Sequence, residues 1–105
     1  MAVKNTRRRY IAFILLNKDG NQFKKEELGV KIQDKCRYLF DKNCSEMGIS
    51  LIKFDGEKGI LRCNHLEKEN TIHLLKSIKE IDSQRVVLET IGTSGTIKSL
   101  LKKHM

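Results

Sequence analysis

Seven consecutive apolar residues, Tyr10 to Leu16, sit behind three arginines and ahead of Asn17-Lys18-Asp19-Gly20-Asn21. The run has the length of a strand, and the polar, glycine-containing segment after it reads as a turn. Side chains alternate along a strand. Ile11, Phe13 and Leu15 therefore share one side, and Tyr10, Ala12, Ile14 and Leu16 the other. A strand that is apolar on both sides needs two covers. The chain must place this strand inside a sheet and pack something on each face. The second cover is the C-terminal helix, a partner protein, or both.

The remaining elements follow from periodicity and turn chemistry. After a strand over Arg9–Leu16, the helical spacing of Leu28, Ile32, Cys36, Leu39 and Phe40 predicts a helix over Lys24–Lys42. Glu26 and Glu27 suit its electropositive start. Two strands, Ile49–Phe54 and Gly59–Asn64, flank Asp55-Gly56-Glu57-Lys58, where Asp-Gly supplies a tight turn. A second helix is expected over Leu66–Ile81, capped by Asn64 with Glu67 in capping-box position. Its inner face would be Leu74, Leu75, Ile78 and Ile81. A fourth strand over Gln84–Ile91 leads to a tight Gly92-Thr93-Ser94-Gly95 corner and a helix over Ser94–His104. The fold class is α+β: a ferredoxin-like βαββαβ antiparallel sheet with both main helices on one face, strands one and three central, and an added C-terminal helix. With 105 residues and no proline or obvious linker, residues 1–105 form one domain.

Charge is partitioned along the chain. The net charge is +8, yet residues 19–89 hold thirteen Lys/Arg against all thirteen Asp/Glu. The excess lies in Lys4, Arg7, Arg8, Arg9 and Lys18 at the front and Lys98, Lys102 and Lys103 at the back. If the fold brings both ends to one side, they make a single polyanion-binding patch, with RNA or DNA the commonest partner of such a surface. Thr93 and Ser94 open the basic helix, where capping by their hydroxyls and affinity of helix N–H groups for phosphate oxygens point the same way. The corner is not a Walker A loop, because no GK[ST] follows the glycines. The third strand carries no aromatic in Ile60-Leu61-Arg62-Cys63, so the base-stacking sheet of an RNA-recognition module is not expected.

Other chemistry is weakly supported. Cys36, Cys44 and Cys63 are odd in number and lack CxxC spacing, as suits thiols in a reducing cytoplasm. Cys63 and His65 lack two further zinc ligands at sensible spacing. His65, His73 and His104 form no nucleophilic constellation, so no catalytic residue is assigned. No stretch approaches the roughly twenty apolar residues of a membrane span, and the short apolar run lacks the cleavage site of a signal peptide.

Arg7 to Leu16 (RRRYIAFILL), Gly59 to Cys63 (GILRC) and above all Thr90 to Leu100 (TIGTSGTIKSL) resemble the archaeal and eukaryotic ribonuclease P protein component 2 family. The segment before the first strand lacks the proline frequent there in the family. The resemblance implies a non-catalytic protein subunit of the ribonucleoprotein that removes 5′ leaders from precursor tRNA, an endonuclease whose catalyst is the RNA. No cofactor would be bound by the protein, Mg²⁺ being held by the RNA. Implied partners are the catalytic RNA, protein component 3 and other subunits, with precursor tRNA as substrate and self-pairing within the complex. Arg7, Arg8, Arg9, Thr93, Ser94, Lys98, Lys102 and Lys103 are the expected RNA-binding residues.

Two alternatives share the fold. An acylphosphatase needs an arginine in the loop after the first strand, and Asn17 to Asn21 has none. A regulatory domain that dimerises around a metabolite fits the composition but leaves the basic ends without a purpose. A solitary single-stranded RNA binder is disfavoured by the missing sheet aromatics.

Overall fold

A computed structural model describes residues 7–17, 23–81 and 83–104, with 103 and 104 described by backbone alone. The elements are β1 (Arg8–Asn17), α1 (Lys25–Phe40), α2 (Cys44–Met47), β2 (Ser50–Phe54) and β3 (Lys58–Asn64). A 3₁₀ turn over His65–Glu67 leads into α3 (Lys68–Ser77), followed by β4 (Glu80–Ile81), β5 (Gln84–Ser94) and α4 (Ile97–His104). The sheet order is β2-β3-β1-β5-β4, every pair antiparallel. This is the expected ferredoxin-like arrangement with β1 and β3 interior, extended by a two-residue fifth strand.

The alternation in β1 divides the molecule into two cores. Ile11, Phe13 and Leu15 join Leu28, Ile32 and Cys36 of α1, Leu74 and Leu75 of α3, and Val86 and Leu88 of β5 in the larger one. On the reverse face Ala12, Ile60 and Leu100 form a smaller cluster, flanked by Tyr10, Ile52 and Ile97. The second cover is therefore α4, anchored by a fully buried Leu100. The cover is partial: Leu16 and Val87, directly opposite each other in the β1–β5 register, remain 45% and 40% exposed.

The β2–β3 turn forms as its Asp-Gly pair predicts. Asp55 accepts hydrogen bonds from the backbone N–H groups of Glu57 (2.9 Å) and Lys58 (2.8 Å), and Gly56 takes φ 101°. Those two donors hold the Asp55 carboxyl below its ordinary range. The turn is tied to the sheet by the Leu15 N–H donating to Glu57 O at 2.6 Å.

Local chemistry moves three boundaries from their expected places. Helix α1 stops at Phe40, not Lys42, because Asp41 adopts a left-handed cap (φ 54°). Glu46 then accepts the Asn43 N–H at 3.1 Å and starts the unanticipated α2, whose Met47 is fully buried. The second helix spans Lys68–Ser77, not Leu66–Ile81. Asn64 makes no side-chain cap, and no Asn64–Glu67 capping box forms. Glu67 instead accepts from Asn70 at 2.9 Å and pairs with Lys42 at 3.5 Å. At the far end Ser77 donates to Leu74 O at 2.6 Å, and Ile78 turns extended (ψ 109°). Ile78 and Ile81 are buried as expected, but from a linker and β4.

The third correction is the largest. Gly92, Thr93 and Ser94 are not a corner; they are the last residues of β5. A bulge sets Ala12 opposite Gly92 and Phe13 opposite Thr90, leaving Ile91 unmatched, and such an insertion bends its strand. The actual turn is Gly95-Thr96, and α4 starts at Ile97, not Ser94.

Candidate RNA interface

The end of the sheet where β1 begins is also where β5 finishes. Tyr10 faces Ser94 across the ladder, so Arg9 falls beside the turn into α4. A methyl group placed on Gly95 would stand 3.6 Å from Arg9 Nη1. The two basic segments, about ninety positions apart in sequence, are thus neighbours, and helix α4 continues from their meeting point.

Arg7, Arg8 and Arg9 are all exposed, Arg8 and Arg9 within β1 and Arg7 just ahead of it. The Arg7 carbonyl accepts the His65 N–H at 2.9 Å, which fixes this strand end against the 3₁₀ turn. On α4, Lys98 and Lys102 are exposed and four residues apart, hence on one helix face, while Leu100 is buried against Ala12 and Ile60. Among the described residues, Arg7, Arg8, Arg9, Lys98 and Lys102 make no ion pair. Lys103 belongs to α4, but its side chain lies outside the described residues, as do Lys4 and Lys18. Thr93 is exposed and Ser94 half-buried.

The hydroxyl that caps α4 is neither Thr93 nor Ser94. Thr96 Oγ1 accepts the Ser99 N–H at 3.2 Å and Thr96 O accepts the Leu100 N–H at 3.2 Å. Ser94 Oγ accepts the Thr96 N–H at 3.3 Å and steadies the turn. A Thr followed three residues later by an N–H to cap was legible in the sequence, but the glycine pair pointed two residues too early. Arg62 was also missed. It lies in the electrically balanced middle of the chain, yet β3 carries it to this same sheet end opposite Tyr10.

The remaining candidates settle into structural roles. Cys63 is buried, and burial pushes its thiol up while the neighbouring Thr71 hydroxyl partly opposes this. Cys36 and Cys44 are free thiols with Sγ atoms 3.0 Å apart. His65 Nδ1 lies 3.3 Å from Arg7 O, and His73 is exposed on α3. No group of three or more His, Cys, Asp or Glu among the described residues is arranged to hold a metal. No helix among them is long and apolar enough to cross a membrane.

The model of the Rpp14/Pop5 family matches residues 9–105, nearly the whole chain, with Arg9 and the α4 lysines inside the match and Arg7 and Arg8 just ahead of it. The chain belongs to the Rpp14/Pop5 family. Ribonuclease P protein component 2 of Pyrococcus furiosus is 33% identical over 94% of this chain and 83% of its own length. The protein of the same name from Archaeoglobus fulgidus is 31% identical over 95% and 90%. A chain in the cryo-EM structure of yeast ribonuclease MRP superposes with a TM-score of 0.67 over 90% of this chain and 79% of that one, at 10% identity, a likeness of fold. These relatives favour a ribonucleoprotein subunit over the metabolite-binding regulatory domain.

Proposed function

We propose that this ribonuclease P protein subunit grips the backbone of the catalytic RNA with the joined basic ends of its sheet. In doing so it supports removal of 5′ leaders from precursor tRNA in the cytoplasm. The observation that carries the reading is the approach of Arg9 to Gly95, which merges the arginine-rich strand start with the lysine-bearing helix α4. Residues from Thr90 onward include no acid, so this surface repels Mg²⁺ and attracts phosphate. The ions that assist cleavage then belong to the RNA, and the protein's part is to screen charge and fix RNA shape.

Arg7, Arg8, Arg9, Lys98 and Lys102 supply the backbone contacts, with Lys103 completing the set and Thr93 and Ser94 at the margin. Protein component 3 is the proposed protein partner. The apolar pair Leu16 and Val87 that α4 leaves open offers it a docking area on the second face.

Reconstitution tests the proposal. Precursor tRNA cleavage by the catalytic RNA is measured with and without this chain and component 3 at low Mg²⁺. Lower Mg²⁺ demand with the chain present is the expected result. Cleavage indifferent to the chain would sink the reading.

A further inference from the structure

On the α4-covered side of the sheet, Arg8 and Arg62 line one open groove of about 460 Å³ together with Asn64, Ser45 and Ser50. The strand registers place them there: Arg8 pairs with Asn64, and Arg62 pairs with both Tyr10 and Ser50, so all share one side of the sheet. None of the residues lining the groove is acidic. The nearby Glu46 is engaged by the Asn43 N–H. Arg62 Nε is buried from water and meets no acceptor among the described residues. A buried guanidinium N–H without a partner is costly, and a turn of the Arg62 side chain toward an anion in the groove brings it an acceptor.

We propose that Arg8, Arg62 and Asn64 form a second seat for an RNA phosphodiester, separate from the Arg9–α4 contact and resting on the RNA-binding reading above. Two guanidinium groups present forked donors that match phosphate oxygens. Asn64 and the two serine hydroxyls add donors that carry no charge. Tyr10, the ladder neighbour of both Arg62 and Ser94, lies between this groove and the start of α4. A backbone running across the sheet end meets both seats in turn. The groove is open, as a polymer requires.

The test compares the full chain with R62Q, R62K, R8Q and the remote control K79Q for binding of the catalytic RNA across a salt series. Thermal melts confirm folding of each. Wild type and K79Q should share one salt slope, and R62Q and R8Q should each flatten it by roughly 0.7 to 0.9. R62K should keep the slope but bind several-fold more weakly, because an ammonium lacks the fork. Should R62Q unfold the chain, R62K decides, because Arg62 belongs to the groove and not to the parent set of contacts. A wild-type slope in folded R62Q and wild-type affinity in folded R62K, with wild type binding RNA, would overturn this seat and leave the parent reading standing. Failure of wild type to bind RNA would overturn both. A titration with inorganic phosphate separates the anion's source. Saturation as tight as RNA binding would mark a free-anion site and overturn the assignment to a polymer.

Discussion

Gly59 lies directly opposite Phe13 in the β1–β3 ladder, so close that a methyl group on it would stand 2.5 Å from Phe13 Cζ and 2.8 Å from Lys53 O. The Phe13 ring stacks on Phe54 with centroids 6.1 Å apart, so it has little room to retreat. Gly59→Ala is therefore expected to destabilise the fold by about 1–3 kcal/mol, the usual cost of overpacking a core. Thermal denaturation checks this, at about 4–8 °C per kcal/mol for a chain of this size. An unchanged melting temperature would contradict the tight approach.

Leu100 is the fully buried residue that α4 contributes to the second core. Leu100→Ala should cost about 2–3 kcal/mol if the helix stays docked, and less if α4 frays alone. Hydrogen exchange distinguishes the cases. Faster exchange confined to residues 97–104, with β1 and β3 protected, is the expected pattern, accompanied by weaker RNA binding as Lys98 and Lys102 lose their placement.

Alkaline stability should depend on Cys36. Burial, then its neighbour Cys44, pushes the Cys36 thiol from 9.0 up to about 12. The unfolded chain releases this proton near 9.0 while the folded chain keeps it to about 12. Folding therefore binds a proton in that window, and stability present below pH 9 is lost as pH rises, by at most about 1.4 kcal/mol per pH unit. Denaturant melts of wild type and Cys36→Ala, just below and well above pH 9, test this. The stability gap between them should shrink with rising pH; a constant gap would refute the linkage.

Replacing Lys98, Lys102 and Lys103 together by glutamine should weaken RNA binding and flatten its salt dependence by roughly 0.7 to 0.9 for each phosphate that is no longer neutralised. Arg9→Gln should act in the same direction. A triple variant with the wild-type slope would remove α4 from the interface.

Legibility followed the range of the forces involved. The double apolar alternation of Tyr10 to Leu16 announced a central strand with two covers, and the structure supplies both. The Asp55-Gly56 turn was readable because its chemistry is local. The second helix was overextended because Ile78 and Ile81 continue a helical spacing, while the extended backbone at Ile78 and the β4 pairing break it. Likewise Gly92-Thr93-Ser94 has turn composition, yet β1 offers it ladder partners and holds it in the sheet. Tertiary pairing outweighed propensity in both places.

From the sequence alone came the ferredoxin-like order of elements, the neutral middle with basic ends, and the family likeness, since periodicity and charge are properties of neighbouring residues. Whether those ends meet was a different kind of question. It depended on the β1–β5 register, the Ile91 bulge and the docking of Leu100, which set Arg9 beside Gly95 and carried Arg62 to the same end. Such proximity arises from hydrogen bonds and packing between segments far apart along the chain, and only the folded molecule brings them together.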